Sequence, residues 1–372
     1  MKSSHRFVII MAGGSGERFW PVSRGKKPKQ LIKLIGSASF LQQAVGRLGN
    51  LLPMQNILIV TQKSQAREVG RQLPALPKEN LIVEPCGRDT CAAIMIGAAV
   101  VGARDPKGVI AVLPADHLIE EGAAFRQNLR DCFRLASRYE VLVTLGIKPT
   151  HPATGYGYIK TGETLKHEGN VLNCKTSFRS VEQFVEKPSL SRAKKFLLSG
   201  QYRWNAGMFV WSLGSLLKAM ELHQPHMAES CMAWLQVARS PRKLAKMLHS
   251  VYPDLPRISI DFALMEKADN VVMADSVFDW DDLGSWTALE RYLVSDPDHN
   301  CIQGNCIQVD SSHNIIFDTR PKRGTPIALV GIKDCIVVQT EDACMVASKS
   351  HAQQIKDLVR KISSLEKFRH LT

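Results

Sequence analysis

Residues 7–30 read FVIIMAGGSGERFWPVSRGKKPKQ, an apolar run followed by glycines, aromatic residues and several cations. The apolar run Phe7–Ala12 predicts a buried strand that leads directly into a glycine-rich loop. Glycines permit positive φ and let backbone N–H groups approach an anion, as in phosphate-binding loops. Gly13, Gly14 and Gly16 are therefore candidates for contact with a phosphate.

Two common phosphate-binding signatures do not fit this loop. A Walker A loop would end in G-K-[ST], which is absent here. The dinucleotide fingerprint would need a third glycine that opens a helix, where this chain reads FWP at residues 19–21. The loop therefore indicates neither a P-loop ATPase nor a Rossmann dehydrogenase.

Short β-branched runs alternate with helical patterns over the first 150 residues. This alternation predicts an α/β fold with a mixed, mostly parallel sheet covered by helices on both faces. Ligands of such sheets bind beyond the carboxyl ends of the strands. The predicted strands are Phe7–Ala12, Ile57–Val60, Leu81–Val83, Val109–Leu113 and Val141–Leu145.

The pattern changes twice further along the chain. Between about Gly155 and Trp286, the strand-like runs GYGYIK, VEQFVEK and AGMFVW look like insertions between helices. Beyond about residue 295, apolar runs recur roughly every 8 to 12 residues, which predicts a small β-rich unit. The linker SDPDHN separates the two parts, so we predict two domains, 1–295 and 296–372. The final helix is predicted to carry one apolar face made of Ile355, Leu358, Val359, Ile362 and Leu365.

The composition is that of an ordinary folded protein, with 372 residues of which 45% are hydrophobic and 22% charged. The longest nearly apolar run, Cys91–Ala103, is too short to cross a bilayer, and the N-terminal apolar run is too short for a signal peptide. We therefore expect a protein that starts near Met1, has no membrane partner and stays in the cytoplasm.

Charge and cysteine content limit the partners further. The 48 Lys and Arg against 35 Asp and Glu give a net charge of +13, which favours a polyanionic partner, either a nucleic acid or a small phosphorylated substrate. Because no RNP pattern, helix-turn-helix or aromatic platform accompanies the charge, nucleic-acid binding is disfavoured. The nine cysteines are scattered without a C-x-x-C pair, which argues against a disulfide framework or structural zinc.

Two cations, Arg18 and Lys29, lie on either side of a proline-containing turn after the glycine loop. Such cations can converge on one polyphosphate and stabilise charge that develops on phosphoryl oxygens. The run GGSGERFWPVSR…KPKQ resembles the signature of the sugar-nucleotide pyrophosphorylases, in particular the mannose-1-phosphate guanylyltransferase (GDP-mannose pyrophosphorylase) family. In that family the arginine and the lysine bind and polarise the nucleotide phosphates. The resemblance thus implies that Arg18 and Lys29 are the catalytic cations.

Further blocks follow in the order of that family: EPCGRDTCAA at 84–93, LPADH at 113–117, then GYGYI, FVEKP, WNAGMFVW and DWDDLGSW. The resemblance covers about residues 6–290, and it implies a Rossmann-like, GT-A-like nucleotidyltransferase domain followed by a short left-handed β-helix. The nucleotide-binding residues that it implies are Gly13, Gly14, Ser15, Gly16, Glu84, Arg88, Thr90 and Asp116. The sugar-phosphate-binding residues that it implies are Tyr156, Gly157, Glu186, Lys187 and Asn205.

Acidic residues at two points of the chain are the predicted metal ligands. Asp116 comes just past an apolar strand, where an α/β site places its metal ligands, although a helix N-cap is the alternative interpretation. The resemblance implies that the ion is Mg²⁺ and that the second ligand is Asp282 of DWDDLGSW. Spacing alone does not separate Asp282 from its neighbour Asp281, and Asp279 is assigned to a solvated turn.

Glu186 and Lys187 also have a chemical rationale, because a carboxylate can accept two vicinal sugar hydroxyls and an ammonium can meet a sugar phosphate. The alternative interpretation is a surface ion pair. Trp204 and Trp211 are predicted to be packing residues.

The expected reaction needs neither a general base nor a protein nucleophile. A sugar phosphate has a second pKa of about 6 and is already ionised at neutral pH. We therefore assign no base role to His117 and no nucleophilic role to Ser15, Ser23 or Cys86.

The resemblance implies an enzyme that condenses GTP with α-D-mannose 1-phosphate and gives GDP-mannose and pyrophosphate, with Mg²⁺ as cofactor. The same chemistry on another sugar 1-phosphate or nucleotide remains open, as does a non-catalytic subunit that senses nucleotide sugars. Some members of the family carry a downstream isomerase domain, for which these 372 residues leave no room, so one activity is expected. The tail is expected to support assembly as a homodimer and stability, and to supply no catalytic group.

Overall fold

The apolar run that follows the N-terminus forms the first strand of the main sheet. In a computed structural model of the chain, which describes residues 5–14, 16–165, 173–320 and 325–372, this strand is β1, Arg6–Met11. Its central residues Val8, Ile9 and Ile10 are fully buried, as the run of β-branched side chains predicts for a strand covered on both faces.

Nine strands of the described residues form one sheet, in the order β3-β2-β1-β4-β8-β5-β9-β7-β6. Their bounds are β1 Arg6–Met11, β2 Ile57–Gln62, β3 Leu81–Glu84, β4 Val109–Pro114, β5 Leu142–Ile147, β6 Tyr158–Thr164, β7 Phe178–Val185, β8 Tyr202–Ser212 and β9 Val271–Ser276. β7 and β8 run opposite to the other seven, because β8 pairs antiparallel with β4 and β5, and β7 pairs antiparallel with β9 and β6. The prediction of a mixed, mostly parallel sheet is confirmed.

The three runs that look like insertions in the sequence are members of this main sheet. They form β6, β7 and β8, and β8 lies between β4 and β5 with the pairings Val112↔Phe209 and Val143↔Val210. The buried residues Met208–Trp211 explain this central place, since an apolar strand is stabilised when both of its faces are covered.

Nine α-helices occur within the described ranges. They are α1 Phe40–Leu48, α2 Ala66–Gln72, α3 Asp89–Arg104, α4 Gly122–Ala136, α5 Leu190–Ser199, α6 Leu213–His223, α7 Pro225–Val237, α8 Pro241–Val251 and α9 Ile355–Ser364. Helix α3 is buried along almost its whole length, which accounts for the longest apolar run of the sequence. Over the described residues, none of the helices has both the length and the apolar character needed to cross a membrane.

The chain divides into two compact units. The first unit comprises Met1–Gly13, Ala44–Ala115 and Ile119–Trp280 and contains the nine-stranded sheet. Its core joins α3, α6, α7 and α8 with apolar side chains of β1, β2, β4 and β8.

The second unit comprises Gly14–Gln43, Asp116–Leu118 and Asp281–Thr372. Its strands are β10 Cys301–Gln303, β11 Cys306–Val309, β12 Ile315–Asp318, β13 Ile327–Val330, β14 Cys335–Gln339 and β15 Cys344–Ser348. The parallel pairings β10–β12, β12–β14 and β11–β13 make the chain coil upon itself, and β15 closes the larger sheet as an antiparallel strand. The prediction of a small β-rich unit is confirmed.

A tryptophan links the coil to the glycine-loop segment in one apolar core. Trp286 packs against Phe19, with ring centroids 5.4 Å apart, and against Phe317 of β12 at 5.1 Å. Its indole N–H donates to the Trp20 carbonyl, and the indole of Trp20 donates to the Leu371 carbonyl at 2.8 Å. The second unit is therefore larger than the predicted domain 296–372, because residues 14–43 share its core.

The terminal helix differs from the prediction at its edges. Ile355 and Val359 of α9 are buried, but Leu358 and Leu365 are 41% and 46% exposed. At 3.6 residues per turn, Leu358 lies at the margin of the stripe that Ile355 and Val359 define, whereas Leu365 comes directly after the last residue of α9.

Candidate active site

The second unit contains a pocket of about 340 Å³ in which five of the predicted site residues meet. These five are Gly16 of the glycine loop, the cations Arg18 and Lys29, and the acids Asp116 and Asp282. The full lining is Gly16, Glu17, Arg18, Phe19, Lys29, Asp116, His117, Asp282, Leu283, Gly284 and Lys356.

Lys29 carries a buried ammonium at the centre of these contacts. It begins a short 3₁₀ turn, Lys29–Leu31, and is only 5% exposed. Its Nζ donates to Asp116 Oδ2 at 3.0 Å and to the Asp282 carbonyl oxygen, and it lies 5.8 Å from the ring centroid of Phe19. A buried cation is tolerated only when it is paired in this way, so the ammonium is held in one place.

Asp116 follows β4 by two residues, as the sequence predicts. Burial acts to raise the pKa of its carboxyl, but the charges of Lys29 and His117 and the hydrogen bond from Lys29 outweigh burial and hold this pKa below its ordinary value. Asp116 is therefore ionised at neutral pH and lines the pocket as a carboxylate.

The glycine loop approaches the lysine segment very closely. Gly16 has φ of 61°, and a Cβ atom at this position would lie 2.5 Å from the backbone nitrogen of Lys29. Ser23 is buried and donates to the Gly16 carbonyl at 2.8 Å, so its hydroxyl supports the loop. Gly14 accepts from the Gln30 amide at 3.0 Å, whereas Ser15 lies outside the described residues.

Arg18 lies on the exposed side of the pocket, within the 3₁₀ turn Glu17–Phe19. Its Nη1 donates to the Gly284 carbonyl at 3.3 Å. The neighbouring Phe19 is buried in the core of the second unit, so the turn that carries Arg18 has a fixed base.

The adjacent acids Asp281 and Asp282 have different surroundings. Asp281 is buried and accepts hydrogen bonds from Arg291 Nε and the Tyr292 hydroxyl, each at 2.9 Å, and from the Leu283 amide at 2.8 Å. Asp282 instead lines the pocket with Asp116. Asp281 thus holds the turn that presents Asp282.

Asp279 belongs to the first unit and is not a purely solvated turn residue. Its carboxylate accepts from the amides of Glu120 and Glu121 at 2.8 and 2.7 Å. These two amides directly precede α4, so Asp279 satisfies donors at the start of that helix.

The donor set of the pocket fits magnesium. Among the described residues there is no cluster of three or more histidine, cysteine or acidic side chains with metal-site geometry. Mg²⁺ does not require such a cluster, because it is commonly held by one or two carboxylates together with substrate phosphates and water. Asp116 and Asp282 are two acidic residues in the lining of one pocket.

In the first unit, Glu84 ends β3 in a buried position beside Gly13. The Tyr252 hydroxyl donates a short hydrogen bond to its carboxylate. Burial raises the pKa of Glu84, although the hydrogen bond from Tyr252 acts in the opposite direction.

Arg88 and Thr90 flank the start of α3. The Thr90 hydroxyl accepts from the Ile260 amide at 2.8 Å, which joins the helix start to the segment before Asp261. The Nε atom of Arg88 is buried and has no hydrogen-bond partner in the described part of the chain. A buried donor of this kind is unusual in a native protein, and an acceptor oxygen of a water or a ligand would satisfy it.

Gly157, Glu186 and Asn205 form a second cluster in the first unit. The Asn205 amide donates to the Gly157 carbonyl at 2.8 Å, and a Cβ atom on Gly157 would lie 2.7 Å from Glu186 Oε2. Only glycine permits this approach of the carboxylate to the backbone. The Lys187 ammonium pairs with Glu186 and is largely exposed.

Asn205 is oriented by an acid that the sequence analysis did not select. Its Nδ2 donates to Asp261 Oδ1 at 2.6 Å, and its Oδ1 accepts from the Gly207 amide at 3.1 Å. Burial raises the pKa of Asp261, the hydrogen bond from Asn205 lowers it, and the nearby charge of Glu186 raises it further, so that the pKa lies above its ordinary value.

Tyr156 stands in an aromatic cluster. Its ring meets Trp204 and Trp280 edge-on, with centroid distances of 5.0 and 5.2 Å. Trp211 is fully buried in the sheet core and Trp204 is nearly so, which agrees with their predicted packing role.

Known protein families match both parts of the chain. The family described as nucleotidyl transferase matches residues 7–297, and the family described as MannoseP isomerase/GMP-like beta-helix domain matches residues 304–362. A mannose-1-phosphate guanylyltransferase from Salmonella montevideo is 36% identical over 367 residues, which are 98% of this chain and 75% of the relative. This chain belongs to the mannose-1-phosphate guanylyltransferase family.

A further relative and a solved structure are also similar to this chain over most of its length. The xanthan biosynthesis protein XanB of Xanthomonas campestris is 34% identical, with 96% of this chain and 73% of the relative covered. A crystal structure described as mannose-1-phosphate geranyltransferase from Thermus thermophilus matches with a TM-score of 0.81 and 32% identity, over 96% of this chain and 99% of that one. The chain is therefore an enzyme of the nucleotidyltransferase class.

Three residues of this guanylyltransferase family member were not predicted from the sequence: Tyr252, Asp261 and Lys356. An acid within the apolar run ISIDFALM was a usable signal for Asp261, whereas no local pattern singles out Tyr252. Lys356 lies in the tail, for which no catalytic group is expected, and α9 places this lysine in the wall of the pocket. That position depends on the packing of α9, which the sequence pattern alone does not show.

Proposed function

We propose that the enzyme transfers GMP from GTP to α-D-mannose 1-phosphate and releases pyrophosphate. The observation that carries the proposal is the single pocket that contains Arg18, Lys29, Asp116 and Asp282, in a chain that aligns with guanylyltransferases over nearly its whole length. Such a pocket provides fixed cations and carboxylates, which are the groups that phosphoryl chemistry requires.

The proposed step is an in-line displacement at the α-phosphorus of GTP. A phosphate oxygen of mannose 1-phosphate forms the new bond to this phosphorus, and the bond from the phosphorus to the α,β-bridging oxygen breaks. Pyrophosphate leaves with that oxygen and its electron pair. The attacking phosphate is already ionised, so His117 has no proton to remove in this scheme.

Lys29 and Arg18 stabilise the charge that develops on the phosphoryl oxygens. Lys29 is suited to this role because Asp116 and the surrounding rings fix its ammonium before the substrate binds. Fixed groups stabilise the transition state without reorganising during the reaction. Arg18 is more exposed and can form two parallel hydrogen bonds to a phosphate.

Asp116 and Asp282 are the residues that would hold Mg²⁺. When bound, the ion neutralises phosphate charge and orients the phosphate chain. Asp116 has a second task, since its carboxylate also positions the Lys29 ammonium.

In the first unit we assign the nucleotide to the loop and strand ends that carry Gly13, Glu84, Arg88 and Thr90. The buried Nε of Arg88 supports this assignment, because a ligand acceptor would satisfy it. One carboxylate oxygen of Glu84 lies beside Gly13, and the other accepts a hydrogen bond from the Tyr252 hydroxyl. Tyr252 therefore orients the Glu84 carboxylate.

We assign the sugar phosphate to Tyr156, Gly157, Glu186, Lys187 and Asn205. The carboxylate of Glu186 can accept two vicinal hydroxyls, and the exposed ammonium of Lys187 can meet the phosphate. Hydrogen bonds to Asp261 and from the Gly207 amide fix the orientation of the Asn205 side chain.

We further propose that the enzyme works as a homodimer in the cytoplasm. The pair β11–β13 presents Ile307, Val309, Ala328 and Val330 on one exposed face. Exposed apolar faces of short sheets are commonly covered by a second subunit. All nine cysteines are present as thiols, as is usual in a reducing compartment.

Pyrophosphate release across four nucleoside triphosphates and several sugar 1-phosphates tests the proposed substrates. We expect the highest kcat/KM with GTP and mannose 1-phosphate, and no release after chelation of magnesium. The highest kcat/KM with UTP and glucose 1-phosphate would refute the guanylyltransferase specificity and leave the fold unchanged.

A further inference from the structure

The C-terminal helix contributes a cation to the pocket of the second unit. Lys356 is the second residue of α9 and lines the pocket together with Arg18 and Lys29. Ile355 and Val359 of the same helix are buried in the apolar core that contains Phe19. The helix is thereby anchored to the turn that carries Arg18.

Lys29 and Arg18 are already engaged by protein groups. Lys29 is bonded to Asp116 and to the Asp282 carbonyl, and Arg18 donates to the Gly284 carbonyl.

Lys356 differs from both of these cations. Across residues 5–14, 16–165, 173–320 and 325–372 it makes no hydrogen bond or ion pair. The adjacent acid on its helix, Asp357, pairs with Arg360 at 3.1 Å instead. The ammonium of Lys356 thus remains available to a ligand of the pocket.

The charges around Lys356 indicate what this ligand is. The pocket lining has three cations, Arg18, Lys29 and Lys356, and three acids, Glu17, Asp116 and Asp282. The first turn of α9 also contributes the positive end of its helix dipole. An ammonium with three donors and no protein acceptor suits a polyanion with several phosphate oxygens.

We propose that Lys356 binds the β- and γ-phosphates of the nucleoside triphosphate, the part that leaves as pyrophosphate. This inference rests on the proposed function and adds a substrate-binding residue from the C-terminal helix. It makes the tail part of the phosphate site as well as a structural element.

The test compares the wild type with Lys356→Met, Lys356→Gln and Lys356→Arg, with Lys361→Met as the matched control. Lys361 is an exposed lysine on the same helix and does not line the pocket. GTP binding is measured by titration calorimetry without sugar in the presence of magnesium, and KM values are measured separately for GTP and mannose 1-phosphate. Thermal unfolding of each variant reports whether the fold is retained.

We expect Lys356→Met and Lys356→Gln to weaken GTP binding about ten-fold or more, the usual loss when a charge-assisted hydrogen bond is removed. KM for GTP should rise by a similar factor, while KM for mannose 1-phosphate stays within about two-fold. Lys356→Arg should retain most of the affinity, and Lys361→Met should bind GTP like the wild type.

Equal GTP affinity of Lys356→Gln and Lys361→Met would overturn the proposal, as would a loss in Lys356→Arg as large as that in Lys356→Met. A wild-type protein that binds GTP and makes no GDP-mannose would refute only the proposed function, because the binding comparison still decides the role of Lys356. A wild-type protein that binds no nucleoside triphosphate would overturn both.

Discussion

The chemistry of single residues in the second unit depends on how Lys29 and its neighbours are held. A buried ammonium in contact with one carboxylate and one carbonyl oxygen is positioned before any substrate arrives. The adjacent acids Asp281 and Asp282 have different roles. Asp281 is hydrogen-bonded to Arg291 and Tyr292, whereas Asp282 lines the pocket. Neighbouring residues of one type thus serve different purposes because of their hydrogen-bond partners.

Lys29→Ala should lower kcat far more than it weakens GTP binding, because a fixed cation acts mainly on the transition state. Removal of one such stabilising group typically costs about 100-fold to 1,000-fold in rate. Steady-state kinetics measures the split between kcat and KM, with the exposed Lys33→Ala as control. An unchanged kcat with a raised KM for GTP would show that Lys29 only binds substrate.

Asp116→Asn and Asp282→Asn should each abolish the restoration of activity by magnesium after treatment with a chelator. Asp281→Asn should mainly lower the melting temperature, since Arg291 and Tyr292 lose a buried acceptor. Magnesium titrations of activity and thermal unfolding of the three variants measure these effects. The assignment is wrong if Asp281→Asn is inactive with an unchanged melting temperature while Asp282→Asn remains active.

Among the secondary-structure elements, the coil of the second unit depends on buried asparagines. The side-chain Nδ2 of Asn314 donates to Asn300 Oδ1 at 3.0 Å and to the Ile332 backbone carbonyl at 2.8 Å. The Oδ1 of Asn314 accepts from the Cys335 backbone amide at 2.9 Å. Both asparagines are fully buried. They satisfy backbone groups at successive turns of the coil, where short strands leave amides and carbonyls without strand partners.

Asn314→Ala should therefore lower the free energy of unfolding by roughly 2–4 kcal/mol, because several buried polar groups lose their partner at once. The control is Gln303→Ala, an exposed residue of β10 in the same coil. Urea unfolding of both variants measures the difference. A loss no larger than that of the control would mean that these hydrogen bonds contribute little to stability.

Some secondary-structure elements could be predicted from the sequence and others could not. Alternation of apolar runs and helical patterns is a local signal, so β1 to β5 and the parallel part of the sheet could be predicted from it. The position of β8 between β4 and β5 depends on pairing between residues about 60 to 100 positions apart, which no local pattern encodes.

The candidate site follows the same distinction. Lys29 and Asp116 belong to short motifs and could be predicted, whereas Asp261 and Lys356 enter their clusters only through tertiary packing. The apolar periodicity of α9 predicts that Leu358 is buried. Its observed exposure depends instead on how α9 packs in the folded chain.

For the whole molecule, the predicted site residues divide between two compact units. Arg18, Lys29, Asp116 and Asp282 belong to the second unit, and the clusters around Glu84 and Asn205 belong to the first. The second unit is assembled from chain segments far apart in sequence, so its pocket depends on the tail even where the lining residues come from elsewhere.

A chain truncated at Pro297 should lose both stability and turnover. It would lack Phe317, which packs on Trp286, and α9, whose Ile355 lies in the same core as Phe19. Light scattering, thermal unfolding and the pyrophosphate-release assay on the truncated and full chains measure the effect. A soluble truncated protein with the melting temperature and kcat of the full chain would contradict this expectation.

Val309→Asp should convert the proposed dimer to a monomer, because it places a charge in the exposed apolar face of β11 and β13. The control is Val294→Asp, a highly exposed valine outside this face. Light scattering at matched concentrations measures the mass of each variant. An unchanged dimer in Val309→Asp, or a monomeric wild type, would show that this face is not the dimer interface.

In the proposed reaction, a phosphate oxygen of mannose 1-phosphate attacks the α-phosphorus of GTP. To test this, mannose 1-phosphate labelled with ¹⁸O in its three non-ester phosphate oxygens is incubated with GTP and the enzyme, and the products are measured by mass spectrometry. We expect GDP-mannose that retains all of the label, together with an equal amount of unlabelled pyrophosphate. Label in the pyrophosphate, or GTP consumption without GDP-mannose, would refute the proposed reaction.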